Sequence, residues 1–223
     1  MLAPHGSGVV PAVDGGFAPG WTARCRPTRH RFALGGPWPA TAPIDRIVGA
    51  VSPPDGFRFE SADPCRPPAT ELLAAMTREM TELYGQADRL DRPALTAADL
   101  GAPGGDYLVG RLDGEPVAGG GVRRLGPGVA EIKRMYVMPA HRNRGIAVAL
   151  LHALEVRARG LGYSAVRLDT GPLQPRAVAI YQRAGYRRIE PYNDNPYAAF
   201  WGEKLLEAGE ADAEDVGRAP SGR

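Results

Sequence analysis

The chain of 223 residues has few lysines, few cysteines and no long apolar run. Two of its 27 basic residues are lysines, Lys133 and Lys204, so arginine carries nearly all of the positive charge. The formal net charge is only +2, which provides no overall field that would recruit nucleic acid or a membrane surface. Because no run of about 18 apolar residues is present, the sequence predicts no membrane-spanning helix.

The two cysteines, Cys25 and Cys65, both lie in stretches rich in proline and arginine. Their spacing does not resemble that of metal ligands, so the sequence favours two unrelated free thiols and no metal site. The N-terminus lacks the charged-then-apolar order of a secretory signal. We therefore expect a soluble, cytoplasmic protein without a metal and without a membrane partner.

Composition divides the chain into three parts. Residues 1–54 are rich in Gly, Pro, Ala and Arg, so we expect a mostly disordered extension there. Residues 55–206 show the periodicity of one globular domain, and residues 207–223 resemble a solvated tail. Four arginines in the extension suggest a nucleic-acid-binding arm, but an inert extension is the favoured interpretation, so no nucleic-acid partner is expected: Arg24, Arg26, Arg29 and Arg31.

Hydrophobic periodicity within this domain predicts a meander of strands followed by alternating strands and helices. Asp113-Gly114 is a strong hairpin signal, and the triplet Gly119-Gly-Gly121 suggests a bulge or the close approach of another backbone. These patterns favour an α/β fold with a mixed sheet. The predicted strands cover 57–60, 106–112, 116–124, 129–137, 165–170, 186–190 and 199–205, and the predicted helices cover 72–84, 145–159 and 175–184.

The most informative stretch is the strand from Glu131 to Val137 with the basic turn and helix that follow it. The strand stops at Pro139, and a helix opens at Gly145 after a turn that contains Arg142 and Arg144. Backbone N–H groups and the positive end of the helix dipole therefore point at one position, where a phosphate binds well. Taken alone, the pattern is also compatible with an ordinary helix cap.

Two motifs in this region resemble those of the GNAT superfamily of N-acetyltransferases. Arg142-x-x-Gly145-x-Ala147 matches the Gln/Arg-x-x-Gly-x-Gly/Ala segment of that family, and the strand ending Arg134-Met-Tyr-Val137 resembles its fourth strand. Ala177–Tyr186 resembles the Ala-x-x-Leu-Tyr-x-x-x-Gly-Phe segment. The resemblance covers most of residues 57–206, with both motifs in the expected order. It implies a central sheet splayed at the fourth strand, with helices on both faces.

The resemblance also implies that acetyl-CoA is the co-substrate. Backbone groups of the fourth strand would pair with the pantetheine arm, and those of the turn would hold the pyrophosphate. Gln174 stands where the family often has Asn, and its longer side chain can donate the same amide hydrogen bond to the cofactor. The implied cofactor-binding residues are Met135, Tyr136, Val137, Arg142, Asn143, Arg144, Gly145, Ile146, Ala147 and Gln174.

Acyl transfer to an amine needs a proton acceptor and a proton donor. Glu131 is the candidate base, although an ion-paired strand residue is an equally good interpretation and a water path is the alternative route. Tyr181 occupies the family's tyrosine position and is the candidate acid for the departing thiolate, against a purely packing role on its helix. The N–H of Val137 would serve as the oxyanion donor.

The acceptor side carries weaker signals. The loop Pro191–Tyr197 is either a rigid turn or a surface that presents Tyr192, Asp194 and Tyr197 to a cationic amine. We therefore expect an acyltransferase that moves acetyl from acetyl-CoA to a primary amine of a small molecule or a peptide. The alternative is a non-catalytic acyl-CoA-binding or sensing module. Dimers are frequent in this family, so a homodimer is compatible with the sequence.

Overall fold

A seven-stranded mixed sheet organises the residues that the computed structural model describes, 52–85 and 95–206. Its spatial order is β1-β2-β3-β4-β5-β7-β6, and every neighbouring pair is antiparallel apart from the parallel pair β4–β5. The strands are β1 (Phe57–Ala62), β2 (Asp106–Leu112), β3 (Glu115–Gly126), β4 (Val129–Val137), β5 (Ala165–Thr170), β6 (Arg187–Arg188) and β7 (Phe200–Leu205).

Helices cover both faces of this sheet. They are α1 (Ala69–Tyr84), α2 (Ile146–Gly160) and α3 (Pro175–Arg183), with short 3₁₀ turns at Ala97–Leu100 and Pro139–His141. Apolar residues of α1 and the first 3₁₀ turn pack with Tyr107, Val109 and Tyr136, whereas α2 and α3 pack on the opposite face. The expected α/β fold is confirmed. The strand expected at 186–190 contains just two paired residues.

A bulge in β4 separates this strand from β5. Gly121 pairs with Lys133 and Gly119 pairs with Tyr136, so β4 contains one residue more than β3 between these two pairs. Arg134 takes up the extra residue with a φ of 59°, which is rare for a side-chain-bearing residue. The β4–β5 ladder ends at the pair Glu131–Arg167. Beyond it the two strands diverge, as the resemblance implied.

The glycine triplet of β3 lies opposite this bulge, between the two cores. A Cβ on Gly119 would come within 2.4 Å of the Tyr107 hydroxyl, and one on Gly120 within 2.9 Å of Leu154. A Cβ on Gly121 would meet Leu100 at 2.8 Å. The sequence therefore located the bulge correctly, but the close approach comes mainly from side chains on both faces rather than from another backbone.

Some sequence-based expectations concern residues outside the described ranges. The expected disordered extension lies almost wholly before residue 52, and the expected tail begins at residue 207, so both stay predictions, as does the arginine cluster at 24–31. The expectation of a free thiol at Cys65 is wrong, because this cysteine is disulfide-bonded.

Candidate active site

A groove of about 800 Å³ opens where β4 and β5 diverge. Its walls are α1, the end of β4, the turn before α2, and α3. Of the ten residues expected to bind the cofactor, nine line this groove, and Arg144 is exposed outside it. The nine are Met135, Tyr136, Val137, Arg142, Asn143, Gly145, Ile146, Ala147 and Gln174.

The turn before α2 presents its backbone to the groove. Asn143 and Gly145 both have positive φ values, 62° and 77°, and Gly145 caps the helix. The Gly145 carbonyl accepts from the N–H groups of Val148 and Ala149. Ile146 and Ala147 precede these donors, and the first N–H groups of a helix have no intrahelical carbonyl to bind and carry the positive end of its dipole. This geometry suits an anion.

The guanidinium of Arg142 crosses the groove instead of pointing at this anion position. Its Nε donates to the Val137 carbonyl at 2.9 Å, and a terminal nitrogen lies 2.6 Å from the carboxylate of Glu79 on α1. The guanidinium also lies 5.6 Å from the centre of the Tyr136 ring. The Glu79 hydrogen bond is the main reason that the pKa of Arg142 is raised. This ion pair therefore connects α1 to the turn before α2.

Arg176 is a groove residue that the sequence analysis did not single out. It is the second residue of α3, and its guanidinium donates to the side-chain oxygen of Asn143 at 3.2 Å. A second arginine therefore stands beside the turn. Its position just before the second motif, in an exposed first helical turn, was the available sequence signal.

A smaller cavity of about 140 Å³ adjoins the groove. It lies between α1, the ends of β4 and β5, and the loop before β7. Of the three predicted acceptor residues, Tyr197 lines it, whereas Tyr192 and Asp194 do not. Contact of any of them with an acceptor stays a prediction. Its polar and aromatic wall consists mainly of Tyr84, Lys133, Asp169, Thr170, Gln174, Asn195 and Tyr197.

Tyr181 lies where the groove and the smaller cavity meet, because its side chain lines both. The hydroxyl is 4.0 Å from the sulfur of Met135, and the ring packs against Tyr186 and Phe200. A phenol is protonated at neutral pH, and burial, with the charge of Asp169 as the smaller cause, raises the pKa of Tyr181 further. Packing and a position beside the reacting groups are therefore compatible.

Gln174, the N-cap residue of α3, also lines both spaces at this junction. Its side-chain oxygen accepts from the hydroxyl of Thr170 at 2.8 Å. Its NH₂ group lies 3.7 Å from the sulfur of Met80 on α1, which places a donor at the groove. The longer side chain of Gln is thus held by its neighbour in β5.

Glu131 is fully buried and lines neither space. Its carboxylate accepts from Arg123 at 2.6 Å and from the Tyr192 hydroxyl at 2.9 Å. The ammonium of Lys133 lies 3.2 Å away. Glu131 and Lys133 share a face of β4, as the alternation predicted, and the ion-paired interpretation of Glu131 is observed. A role as base stays a prediction.

Asp169 is the carboxylate that lines the smaller cavity, and the sequence analysis missed it. It stands on β5 across the divergence from Lys133, whose ammonium is 2.7 Å from its Oδ1. Burial alone would raise the pKa of Asp169, but the Lys133 charge and hydrogen bonds from Asn193 and Asn195 hold it below its usual value. Only the parallel pairing of β4 with β5 brings these residues together.

The sequence model of the acetyltransferase (GNAT) family matches residues 70–186, which include the groove, the turn and Tyr181. The chain belongs to this family. It is 30% identical over 148 residues to the IAA acetyltransferase of Azospirillum brasilense, covering 64% of this chain and 94% of that protein.

Two further relatives agree with this assignment. The N-alpha-acetyltransferase RimI of Mycobacterium tuberculosis is 35% identical over 125 residues, covering 53% of this chain and 77% of RimI. The crystal structure of a putative acyl-CoA N-acyltransferase from Klebsiella pneumoniae aligns with a TM-score of 0.54 at 28% identity, over 68% of this chain and 98% of that one. The family uses acetyl-CoA.

Two general features complete the description of residues 52–85 and 95–206. None of their helices combines the length and the hydropathy needed to cross a bilayer. Within the same ranges, no group of three or more His, Cys, Asp or Glu side chains is placed to hold a metal ion.

Proposed function

We propose that this GNAT protein transfers the acetyl group of acetyl-CoA to a primary amine by direct attack. The observation that carries the proposal is the junction at Tyr181, where the large groove meets the smaller cavity between the diverging strands. An acyl donor in the groove and an amine in the cavity would meet there. Such positioning supplies much of the rate enhancement in bimolecular transfer.

In this proposal the pyrophosphate lies on the turn from Arg142 to Ala147, and the pantetheine arm follows β4 along residues 135–137. The first-turn N–H groups of α2 and the positive φ of Gly145 support the first contact. The end of the β4–β5 ladder at Glu131 supports the second, because the β5-facing side of β4 is open to an amide-bearing arm.

The acceptor nitrogen attacks the thioester carbonyl carbon, forming the C–N bond, and the C–S bond then breaks. The N–H of Val137 stabilises the oxyanion, and Tyr181 donates its proton to the departing thiolate. The position of Tyr181 supports this role, since it lines both spaces at their junction and its phenol is protonated at neutral pH, as a proton donor must be.

The amine must lose one proton before it attacks. Glu131 is the proposed base in one version. Two ion pairs, Glu131–Lys133 and Lys133–Asp169, connect it to the cavity. We favour a water path past Asp169, because Asp169 lines the cavity and Glu131 does not. The depressed pKa of Asp169 makes it a weak base, so its part is to attract the ammonium form and to hold the water path through which the amine's proton reaches solvent.

The acceptor is proposed to be a small-molecule amine or a peptide amine. The name of the RimI relative specifies N-alpha acetylation, and an α-amine has a pKa near 8, so a sizeable fraction is neutral at physiological pH. Tyr197 is the predicted acceptor contact that lines the cavity. A homodimer and a cytoplasmic location stay predictions.

The test is CoA release from acetyl-CoA with a panel of amines: amino acids, amino-acid amides, short peptides and small diamines. We expect turnover with at least one class and micromolar acetyl-CoA binding by calorimetry. Tight binding with no turnover on any amine would instead establish the acyl-CoA-binding or sensing module. Absence of acetyl-CoA binding would falsify both.

A further inference from the structure

We infer that Asn193 is a positioning residue that fixes the acceptor loop, residues 189–199 between β6 and β7, onto the carboxylates of Glu131 and Asp169. This inference rests on the proposed function, because it treats the smaller cavity as the acceptor site. Asn193 itself lies outside the lining of that cavity. Its effect on the acceptor is therefore indirect, through the shape of the loop.

Both the nitrogen and the oxygen of the Asn193 side-chain amide form hydrogen bonds. Its Nδ2 donates to Asp169 at 2.8 Å and lies 3.5 Å from the carboxylate of Glu131. Its Oδ1 accepts from the indole N–H of Trp201 at 3.0 Å. Because an indole N–H can only donate, the amide must present its oxygen to Trp201 and its NH₂ to the two carboxylates.

Further hydrogen bonds connect the rest of the acceptor loop to the same two carboxylates. The Tyr192 hydroxyl donates to Glu131 at 2.9 Å, and Asn195 Nδ2 donates to Asp169 at 3.2 Å. The side-chain oxygen of Asn195 accepts in turn from the N–H of Tyr197 at 3.1 Å. Tyr197 on the cavity wall is thus connected to Asp169 through one asparagine side chain.

Charge explains why an asparagine suits position 193. The two carboxylates are balanced by Arg123 and Lys133, each within ion-pair distance of Glu131. A neutral amide adds donors to this cluster without adding charge. An aspartate there would place a third carboxylate beside two buried ones and would remove the donor, so like-charge repulsion would push the loop away.

Two variants separate positioning from general stability, Asn193→Ala and Asn193→Asp. With the best amine of the panel, we expect kcat/KM for the acceptor to fall about tenfold in Asn193→Ala, as expected when buried charged groups lose a hydrogen bond. Asn193→Asp should lose more. The Kd for acetyl-CoA should stay within about twofold of the starting protein in both.

Glu190→Gln is the matched control, since Glu190 lies in the same loop, is exposed and lines neither space. It should leave all constants unchanged. Acceptor kcat/KM within twofold of the starting protein for both Asn193 variants would overturn the inference. Equal losses in acetyl-CoA affinity and acceptor kcat/KM would overturn it too, because they would indicate a merely structural role.

A spectroscopic readout covers the case in which no amine is turned over and the proposed function fails. In a Trp21→Phe/Trp38→Phe background, Trp201 is the remaining tryptophan of the chain. Its emission and acrylamide quenching report the environment of the indole that donates to Asn193. We expect red-shifted emission and stronger quenching in Asn193→Ala and no change in Glu190→Gln. Unchanged fluorescence would overturn the inference without reference to activity.

Discussion

The cofactor half and the acceptor half of the cleft are built in different ways. The cofactor half relies on backbone: a bulge at Arg134, a turn with positive φ at Asn143 and Gly145, and the open first turn of α2. The acceptor half relies on side chains from separate elements, with Lys133, Asp169 and Asn193 in one hydrogen-bonded network.

This difference determines which mutations each half of the cleft should tolerate. A backbone site tolerates most side-chain changes and fails where the backbone conformation itself is altered. A side-chain network of ionised groups fails when one partner is removed, because the remaining buried charge is left uncompensated. Conservative side-chain substitutions should therefore be tolerated in the cofactor half and should be damaging in the acceptor half.

The largest expected effect is at the junction that serves both halves. Tyr181→Phe should lower kcat about a hundredfold, the usual loss when a general acid is removed, because the thiolate then has no proton donor. The Kd for acetyl-CoA should stay unchanged, since the ring keeps its packing. Stopped-flow CoA release and calorimetry measure the two quantities.

Tyr186→Phe is the control for that experiment. The Tyr186 ring packs 5.9 Å from that of Tyr181 and is also buried, yet Tyr186 lines neither space. Its kcat should match that of the starting protein. Full activity in Tyr181→Phe would remove the phenol from the mechanism.

Within the acceptor half, Glu131→Gln should destabilise the fold by about 3 kcal/mol, the lower end for breaking a buried ion pair. The low end applies because Arg123 is 30% exposed and can stay hydrated. Urea denaturation measures the free energy of unfolding. Glu203→Gln, which breaks the more exposed pair with Arg167, should cost less than about 1 kcal/mol. Equal costs would contradict the network interpretation of Glu131.

In the cofactor half, Gly145→Ala should raise the Kd for acetyl-CoA about tenfold. The Cβ strains the left-handed backbone by about 1 to 2 kcal/mol, within the turn that presents its N–H groups to the anion. Gly114→Ala is the matched control, because Gly114 also has a positive φ, 93°, with open space around it. It lies in the turn between β2 and β3 and does not line the groove. Both variants should lose similar stability, and only Gly145→Ala should lose affinity.

The smallest effect is expected at Glu79→Gln. Removing this carboxylate frees Arg142 for the pyrophosphate and removes a negative charge from the groove. The Kd for acetyl-CoA should fall about two- to fivefold, in keeping with a partly exposed ion pair. The difference should shrink at high salt, which calorimetry at two ionic strengths would show. A weaker affinity would mean that Glu79 supports the loaded groove.

The sequence predicted the strand, the turn and the helix of the cofactor half, because the determinants of these elements are local. Strand, turn and helix follow one another within residues 129–160, so alternation, Gly145 and the helix pattern identify them together. Asp169 escaped prediction because nothing in its neighbourhood marks it, and Asn193 because loop composition does not say which side chains turn toward the sheet. Their roles depend on the parallel β4–β5 pairing and on how the acceptor loop lies across it.

Tyr192 and Asp194 illustrate the same limit within one loop. Composition drew attention to the loop, but it could not say which side chains enter the cavity. Tyr192 turns to Glu131, Asp194 is exposed, and Tyr197 lines the cavity. Likewise Glu131 was found by its position on the strand, whereas its complete burial depends on the covering loop.

The bulge at Arg134 has a consequence for how this sequence can change over time. Ile132, Met135 and Val137 contact the core under α2 and α3, whereas Tyr136 joins the core under α1. The extra residue thus inverts which face each later side chain of β4 reaches. Deleting a single residue there would exchange the two cores along the end of β4. The length of this segment is therefore expected to be far less free to vary than its side chains.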